Sequence, residues 1–150
     1  VLFEAAAGCA GLGTNQTEAV VNALKTYGLE LGFAFQLIDD YLDYAGDADS
    51  LGKHLGDDLA DGKCTLPVIK ALTEATEAEV TTITQAITLG DRDRFSDVAE
   101  IVTKTSGLTY TRERAFAAVH KAKQAIQQLP DSVYKEGLMG LADLSVSRAN

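Results

Sequence analysis

The sequence predicts an all-α fold, and three observations carry that prediction. Only two of the 150 residues are proline, Pro67 and Pro130. Alanine, leucine and straight-chain polar residues dominate the rest, and their intrinsic preferences favour helix. Apolar residues recur every three or four positions over long stretches, as they do on one face of a helix. Because 46% of the residues are hydrophobic, we expect one domain, residues 1–150, with a sizeable core.

The first helix is predicted over residues 2–10. It begins in an alanine-rich apolar stretch and is expected to end at Gly11 and Gly13. Thr14 or Asn15 is then predicted to cap the second helix, because short polar side chains accept hydrogen bonds from the first free amides of a helix.

The second helix is predicted to be long and to end near Gly46. Its apolar residues repeat with a spacing close to 3.5, at Val20, Leu24, Tyr27, Leu31, Phe35, Ile38 and Leu42. Gly28 and Gly32 lie four residues apart on one side of this helix. Since glycine has no Cβ, we expect another helix to approach closely there.

A polar loop rich in glycine and aspartate is predicted at residues 47–63. Pro67 suits the first turn of the helix that follows. Thr76, with Glu79 three residues later, has the pattern of a capping box for a helix over residues 77–89. Three further helices are predicted at about residues 93–105, 109–129 and 131–148.

The charge balance excludes some classes of partner. Thirteen basic and 22 acidic residues give a net charge of -9, which argues against binding to nucleic acid. No apolar run approaches the ~18 residues of a membrane span, and the N-terminal residues lack a signal peptide's basic region. Cys9 and Cys64 are isolated and are expected to be free thiols. We therefore expect a cytoplasmic protein.

Four oxygen-bearing side chains share one arc of the long helix. They lie within about 100° of one another, because each helical residue advances by ~100°. The four are Gln36, Asp39, Asp40 and Asp43. The adjacent arc is apolar and is expected to be buried, at Leu31, Ala34, Phe35, Ile38 and Leu42.

Carboxylates this close need a cation. At about 6 Å they repel by roughly 3 kcal/mol at an effective dielectric constant of 20. Magnesium suits them, because it is held by one or two carboxylates together with substrate phosphates. Lys53 and Lys63 each follow a glycine in the next loop, and an ammonium group pairs well with phosphate. The combination predicts a site for metal-assisted departure of a diphosphate.

Three other interpretations remain open for these residues. The aspartates could form an exposed acidic helix face. Lys53 and Lys63 could be surface ion pairs of little energetic consequence. A calcium loop is a third interpretation, because Asp47, Asp49, Gly52 and Asp58 match its spacing, although Lys53 and the lack of a terminal glutamate do not fit it.

Two longer patterns resemble a known family. Gly32 to Asp43 reads Gly-x-x-Phe-Gln-x-x-Asp-Asp-x-x-Asp, and Gly52 to Pro67 reads Gly-Lys-x-x-Gly-x-Asp-Leu-x-x-Gly-Lys-x-Thr-Leu-Pro. Together they resemble the second aspartate-rich region of the trans-polyprenyl diphosphate synthases. The flanking segments resemble the C-terminal half of bacterial octaprenyl members, so the resemblance covers nearly all of the chain.

The resemblance implies the C-terminal half of an all-α bundle of the isoprenoid synthase type, from a family of dimers. It implies a transferase that condenses isopentenyl diphosphate with an allylic diphosphate, with three Mg²⁺ ions in a complete site. Asp39 would bind magnesium directly, while Asp40 and Asp43 would bind it directly or through water. An octaprenyl product is expected from overall likeness alone.

The same resemblance implies which residues bind the diphosphate. Lys53 and Lys63 would hold it as the allylic substrate ionises, and Gln36 would support the site. The family's first aspartate-rich region, its arginine pair and the Lys-Thr expected just before Val1 are not in this sequence. We therefore expect a fragment that is inactive alone and that exposes apolar helix faces. A noncatalytic partner subunit of a prenyl synthase and a terpene cyclase are the alternatives.

Overall fold

The structure is a computed structural model that describes residues 1–45 and 55–148. In this part of the chain it contains eight α-helices, one 3-10 helix and no strand, which confirms the all-α prediction. The helices are α1 (Leu2–Gly13), α2 (Glu18–Ala45), α3 (Asp57–Ala60), α4 (Leu66–Leu72), α5 (Glu77–Leu89), the 3-10 helix Arg92–Arg94, α6 (Phe95–Lys104), α7 (Gly107–Ala125) and α8 (Val133–Ser147). None of these helices is both long and apolar enough to cross a bilayer.

Helix α1 is three residues longer than predicted. Gly11, expected to end it, is instead a buried packing position. A Cβ atom at Gly11 would lie 3.2 Å from Cγ2 of Val21 on α2. The glycine therefore lets the two helices pack closely, and α1 continues past it to Gly13.

The predicted cap of α2 was wrong. The hydroxyl of Thr14 donates to the carbonyl of Ala10 at 2.8 Å, so Thr14 belongs to the end of α1. Asn15 adopts a left-handed conformation with φ of 52° in the turn. The side chain that accepts at the start of α2 is that of Thr17, from the amide of Val20 at 3.4 Å.

The later helices follow their local signals more closely. The capping box is present, because Thr76 Oγ1 accepts from the amide of Glu79 and the Glu79 carboxylate accepts from the amide of Thr76. Pro67 lies in the first turn of α4 as predicted. Helix α7 ends at Ala125, four residues before the predicted limit.

The chain divides into two compact units, Val1–Ile38 with Arg114–Asn150, and Asp39–Glu113. In the first unit, α1 packs on α2 at Gly28, where a Cβ would lie 2.8 Å from the carbonyl carbon of Phe3. This confirms the close approach predicted from the glycine pair. Tyr27, which is buried, donates its hydroxyl to the carbonyl of Leu138 on α8 at 2.8 Å. Burial raises the pKa of Tyr27 to about 12.

The second unit has its own core beneath the acidic end of α2. Its buried members are Tyr44, Leu59, Val68, Ala71, Ile83, Ala86, Val98, Ile101 and Val102. The ring of Tyr44 lies 5.8 Å from that of Phe95, centroid to centroid. The core therefore fixes the last turn of α2 against α3 to α6, and it is this turn that carries Asp43.

Candidate functional site

The apolar arc of α2 is buried as predicted, with one exception. The buried members are Leu31, Ala34, Ile38 and Leu42. Phe35 is 41% exposed, so its prediction as a core residue was wrong. Its ring packs instead against that of Phe3, at 5.8 Å, and beneath the guanidinium of Arg148, at 5.0 Å. Cation–π contacts also form at exposed sites, where each contributes about 0.5–1 kcal/mol.

The four predicted site residues of α2 differ in their access to solvent. Gln36 is exposed, and Asp39 and Asp43 are partly exposed. Asp40 is buried, with 6% of its surface accessible. Because a ligand from solution must reach a carboxylate to bind it, Asp39 is better placed than Asp40 to meet a hydrated ion directly.

Asp43 uses both of its carboxylate oxygens. Oδ1 accepts from the amide of Asp57 and Oδ2 accepts from the amide of Asp58, each at 3.2 Å. The backbone carbonyl of Asp43 also accepts from the amide of Gly56 at 3.2 Å. These three contacts join the last turn of α2 to the first turn of α3, whose amides have no partner inside their own helix.

Burial raises the pKa of the Asp43 carboxyl above its ordinary value. The amide hydrogen bonds from Asp58 and Asp57 act in the opposite direction, and the charges of those two carboxylates raise the pKa further. A nearby cation would favour the ionised form of Asp43, as opposite charge does in general.

Lys63 makes the contacts of an exposed ion pair. Its Nζ lies 2.9 Å from Asp61 Oδ2 and 3.2 Å from Asp58 Oδ1, and 57% of its side chain is exposed. The hydrogen bonds to Asp61 and then to Asp58 raise the pKa of Lys63, so the ammonium group stays charged. The surface-pair interpretation describes these contacts. A charged, exposed ammonium group is also what binding a diphosphate requires.

Lys53 lies outside the described residues, as do Asp47, Asp49 and Gly52 of the calcium-loop interpretation. Among residues 1–45 and 55–148, no group of three or more His, Cys, Asp or Glu side chains forms a metal cage. The donors still fit magnesium, because Asp39 and Asp43 are one turn apart and magnesium needs only one or two carboxylates besides phosphate and water.

The contacts between Asp43 and α3 were not predicted from the sequence. Hydrogen bonds that join residues 14 and 15 positions apart depend on tertiary structure, which local sequence signals do not specify. The available hint was Gly56 before Asp57 and Asp58, since a glycine followed by acidic residues is typical of a helix start. Gly56 has φ of 78°, a conformation that favours glycine.

Comparisons with known proteins identify close relatives. Residues 1–105 match the polyprenyl synthetase family. Octaprenyl diphosphate synthase of Haemophilus influenzae is 44% identical over 148 residues, which cover 98% of this chain and 45% of that protein. The chain thus spans about half the length of the curated relatives it matches.

Solved structures give the same result. A decaprenyl diphosphate synthase from Rhodobacter capsulatus matches with a TM-score of 0.90 and 38% identity, over 99% of this chain and 46% of that one. A polyprenyl synthase from Caulobacter crescentus, complexed with calcium and isoprenyl diphosphate, matches with a TM-score of 0.89 and 36% identity, over the same shares. That complex is consistent with the use of divalent metal in the family. This chain, with the aspartates of α2 and with Gly62 and Lys63 farther along, belongs to the polyprenyl synthetase family.

Proposed function

We propose that this chain is the C-terminal, metal-binding half of a synthase that condenses isopentenyl diphosphate with an allylic diphosphate. The family match and the 44% identity to an octaprenyl diphosphate synthase support the reaction class. The same identity favours a long-chain product, octaprenyl diphosphate. We propose that the whole protein is a homo-oligomer, as the resemblance implies.

The residues of α2 and the two lysines that follow it in the sequence would have different roles. Asp39 would hold a Mg²⁺ ion, with Asp40 and Asp43 acting directly or through water and Gln36 supporting the site. When bound, the ion offsets the negative charge that develops on the departing diphosphate. Lys63, together with Lys53, would bind the phosphate oxygens as a point charge.

One observation carries the proposal: the partly exposed Asp39 and the exposed ammonium group of Lys63 belong to the same compact unit. Asp39 is one helical turn before Asp43. Lys63 is hydrogen-bonded to Asp58, and the amide of Asp58 donates a hydrogen bond to the carboxylate of Asp43. The aspartates of α2 and the ammonium group of Lys63 are therefore linked through Asp43 and Asp58. Recognition of a metal diphosphate requires acidic groups for the metal and a basic group for the phosphate.

The proposal includes inactivity of residues 1–150 alone. The relatives are about twice as long, and a complete site is expected to need carboxylates from a second acidic helix. Purified 1–150, incubated with farnesyl diphosphate, radiolabelled isopentenyl diphosphate and Mg²⁺, should yield no labelled prenyl product. Product formation above a protein-free blank would contradict this part of the proposal.

A chimera tests the catalytic role itself. The matching 148-residue segment of the H. influenzae octaprenyl diphosphate synthase is replaced by this chain. We expect the chimera to synthesise polyprenyl diphosphates, and chromatography of the dephosphorylated products should give octaprenol as the main species. A chimera that folds and forms the parent's oligomer but makes no product would support the noncatalytic partner instead.

A further inference from the structure

The geometry points to Asp43 as a positioning residue: its carboxylate holds the first turn of α3 and, through Asp58, positions the ammonium group of Lys63. The inference rests on the proposed function, in which Lys63 binds the diphosphate. It narrows what the resemblance implies, in which Asp43 meets the metal directly or through water, by leaving the direct contact to Asp39.

The first step is the contact between α2 and α3. Each carboxylate oxygen of Asp43 accepts a hydrogen bond from one of two successive amides, those of Asp57 and Asp58. The backbone carbonyl of Asp43 accepts a hydrogen bond from the amide of Gly56. Three consecutive backbone amides thus point at one residue. A single turn of helix has too few internal hydrogen bonds to hold its own position. Leu59 of α3 is buried in the core and Asp57 pairs with Arg92. The three hydrogen bonds to Asp43 add the contact that holds the first turn of α3 against α2.

The second step leads from α3 to the lysine. The carbonyl of Asp58 accepts from the amide of Lys63 at 2.8 Å, and its carboxylate accepts from Nζ of the same residue at 3.2 Å. The Asp58 side chain is only 19% exposed, whereas that of Lys63 is 57% exposed. The backbone amide and the ammonium group of Lys63 are therefore both hydrogen-bonded to Asp58. The amide of Asp58 is in turn hydrogen-bonded to the carboxylate of Asp43.

The carboxylate of Asp43 still has acceptor capacity for a water molecule bound to a metal ion. A carboxylate can accept about four hydrogen bonds, so an indirect contact through water remains compatible with these two. Direct coordination would compete with these amides for the carboxylate oxygens and would weaken the contact with α3. Asp39, one turn earlier on α2, is partly exposed and is therefore accessible to a metal ion from solution.

The test uses the active chimera and separates phosphate binding from metal binding. Asp43→Asn replaces one acceptor oxygen by an NH₂ group that faces an amide N–H, so one hydrogen bond is lost. We expect KM for the allylic diphosphate to rise about 10-fold, with the Mg²⁺ concentration for half-maximal rate changed less than about twofold. Asp97→Asn, an exposed aspartate of α6 in the same unit, is the matched control and should change neither value.

Coupling to the lysine gives a second readout. Lys63→Ala should also raise KM, and adding Asp43→Asn to it should raise KM by less than about twofold more, because residues that act through one another are not additive. If Asp43→Asn fails to fold, Asp43→Glu takes its place, since it keeps the charge but moves the acceptors by one methylene. It should raise KM and leave the Mg²⁺ dependence unchanged.

The two proposals fail in different ways. A rise of more than about 10-fold in the Mg²⁺ requirement of Asp43→Asn, or full additivity with Lys63→Ala, would overturn the positioning role and return Asp43 to the metal. An unchanged KM in the Lys63→Ala chimera would instead show that Lys63 does not bind the diphosphate. That result would contradict the proposed site on which the inference depends.

Discussion

At the scale of single residues, Gly28 determines how closely α1 and α2 can approach. A Cβ atom there would contact the backbone of Phe3 and lie 2.9 Å from Cα of Glu4. Backbone atoms of a neighbouring helix cannot move aside as the end of a side chain can. The contact therefore resists any residue larger than glycine, even though glycine weakens a helix interior by up to ~1 kcal/mol.

Gly28→Ala should therefore lower the free energy of unfolding by about 1–3 kcal/mol, as overpacking does in a core. Denaturant unfolding followed by circular dichroism measures the change. Gly137→Ala in α8 is the control, because no atom lies within 4 Å of its Cβ position. That variant should gain about 0.5–1 kcal/mol. Equal or greater stability of Gly28→Ala would show that the helices do not pack through this residue.

Individual residues also show where the sequence stops being informative. The burial of Leu31 and Ile38 follows from helical spacing alone and was predicted correctly. Phe35 has the same spacing, yet it is 41% exposed. The hydrogen bonds of Asp43 were not predicted, because they depend on the path of the chain between two helices. Periodicity assigns a residue to a face, while contacts outside the helix decide what that face meets.

At the scale of elements, the capping box at the start of α5 contributes to the stability of more than one helix. The Glu79 carboxylate accepts from the amide and hydroxyl of Thr76, each at 2.8 Å, and from Nζ of Lys104 on α6 at 2.7 Å. These hydrogen bonds, that of Lys104 foremost, lower the pKa of Glu79 from the ordinary value of 4.5 to about 2. The capping box therefore also links two helices.

The depressed pKa predicts a pH dependence. The ionised carboxylate stabilises the folded chain above pH 4.5, and this contribution is lost as the pH falls from 4.5 towards 2. Glu79→Gln keeps the cap, since glutamine also serves at this position, but it loses the charge. Its thermal midpoint should lie below that of the unmodified chain at neutral pH, and the difference should shrink as the pH approaches 2.

Glu77→Gln, in the same helical turn, controls for the general effect of removing one acidic charge. Glu74 also has its pKa lowered to about 2, chiefly by the hydrogen bond from Lys70, so Glu79→Gln should reduce the acid-induced loss without abolishing it. A difference between Glu79→Gln and the unmodified chain that stays constant from neutral pH to about pH 2 would contradict the assigned hydrogen bonds.

The boundaries of elements were predictable where the signal was local. The capping box of α5 and the proline of α4 consist of neighbouring residues, and both were correct. The cap of α2 was wrong, because Thr14 has a competing acceptor in the last turn of α1. Residues 126–129 have helical propensity but form turns, which propensity alone could not show.

At the scale of the whole molecule, the first unit presents an open apolar groove of about 470 Å³. Its lining residues are Phe3, Leu31, Phe35, Leu141, Leu144, Ser145 and Arg148. Leu144 is 63% exposed and Leu141 is 48% exposed. Contiguous apolar surface of this kind favours association in water.

Residues 1–150 should therefore self-associate at micromolar concentration and bind an apolar dye. Sedimentation velocity checks the first expectation and dye fluorescence checks the second. The double variant Leu141→Ser with Leu144→Ser should shift the distribution towards monomer, while Val133→Ser, an exposed apolar residue outside the groove lining, should not. A monomer without dye binding, before any substitution, would count against an exposed apolar face.

The family and the fold class could be predicted from the sequence, because the aspartate, glycine and lysine pattern and the helical spacing both lie within it. The complete active site could not, since the chain spans about half the length of its relatives. Asp39 is the residue on which the proposed chemistry depends most. It is accessible, it lies one turn from Asp43, and carboxylate oxygen is the donor that magnesium prefers.

The most direct test is therefore the Mg²⁺ dependence of the chimera with Asp39→Asn, compared with the unmodified chimera and with Asp97→Asn. Loss of a direct metal ligand should lower kcat/KM by about 100-fold or more and raise the Mg²⁺ concentration for half-maximal rate. Unchanged secondary structure and thermal midpoint establish that the variant is folded. A folded Asp39→Asn chimera with the same Mg²⁺ dependence and rate as Asp97→Asn would contradict the assignment of α2 to the metal.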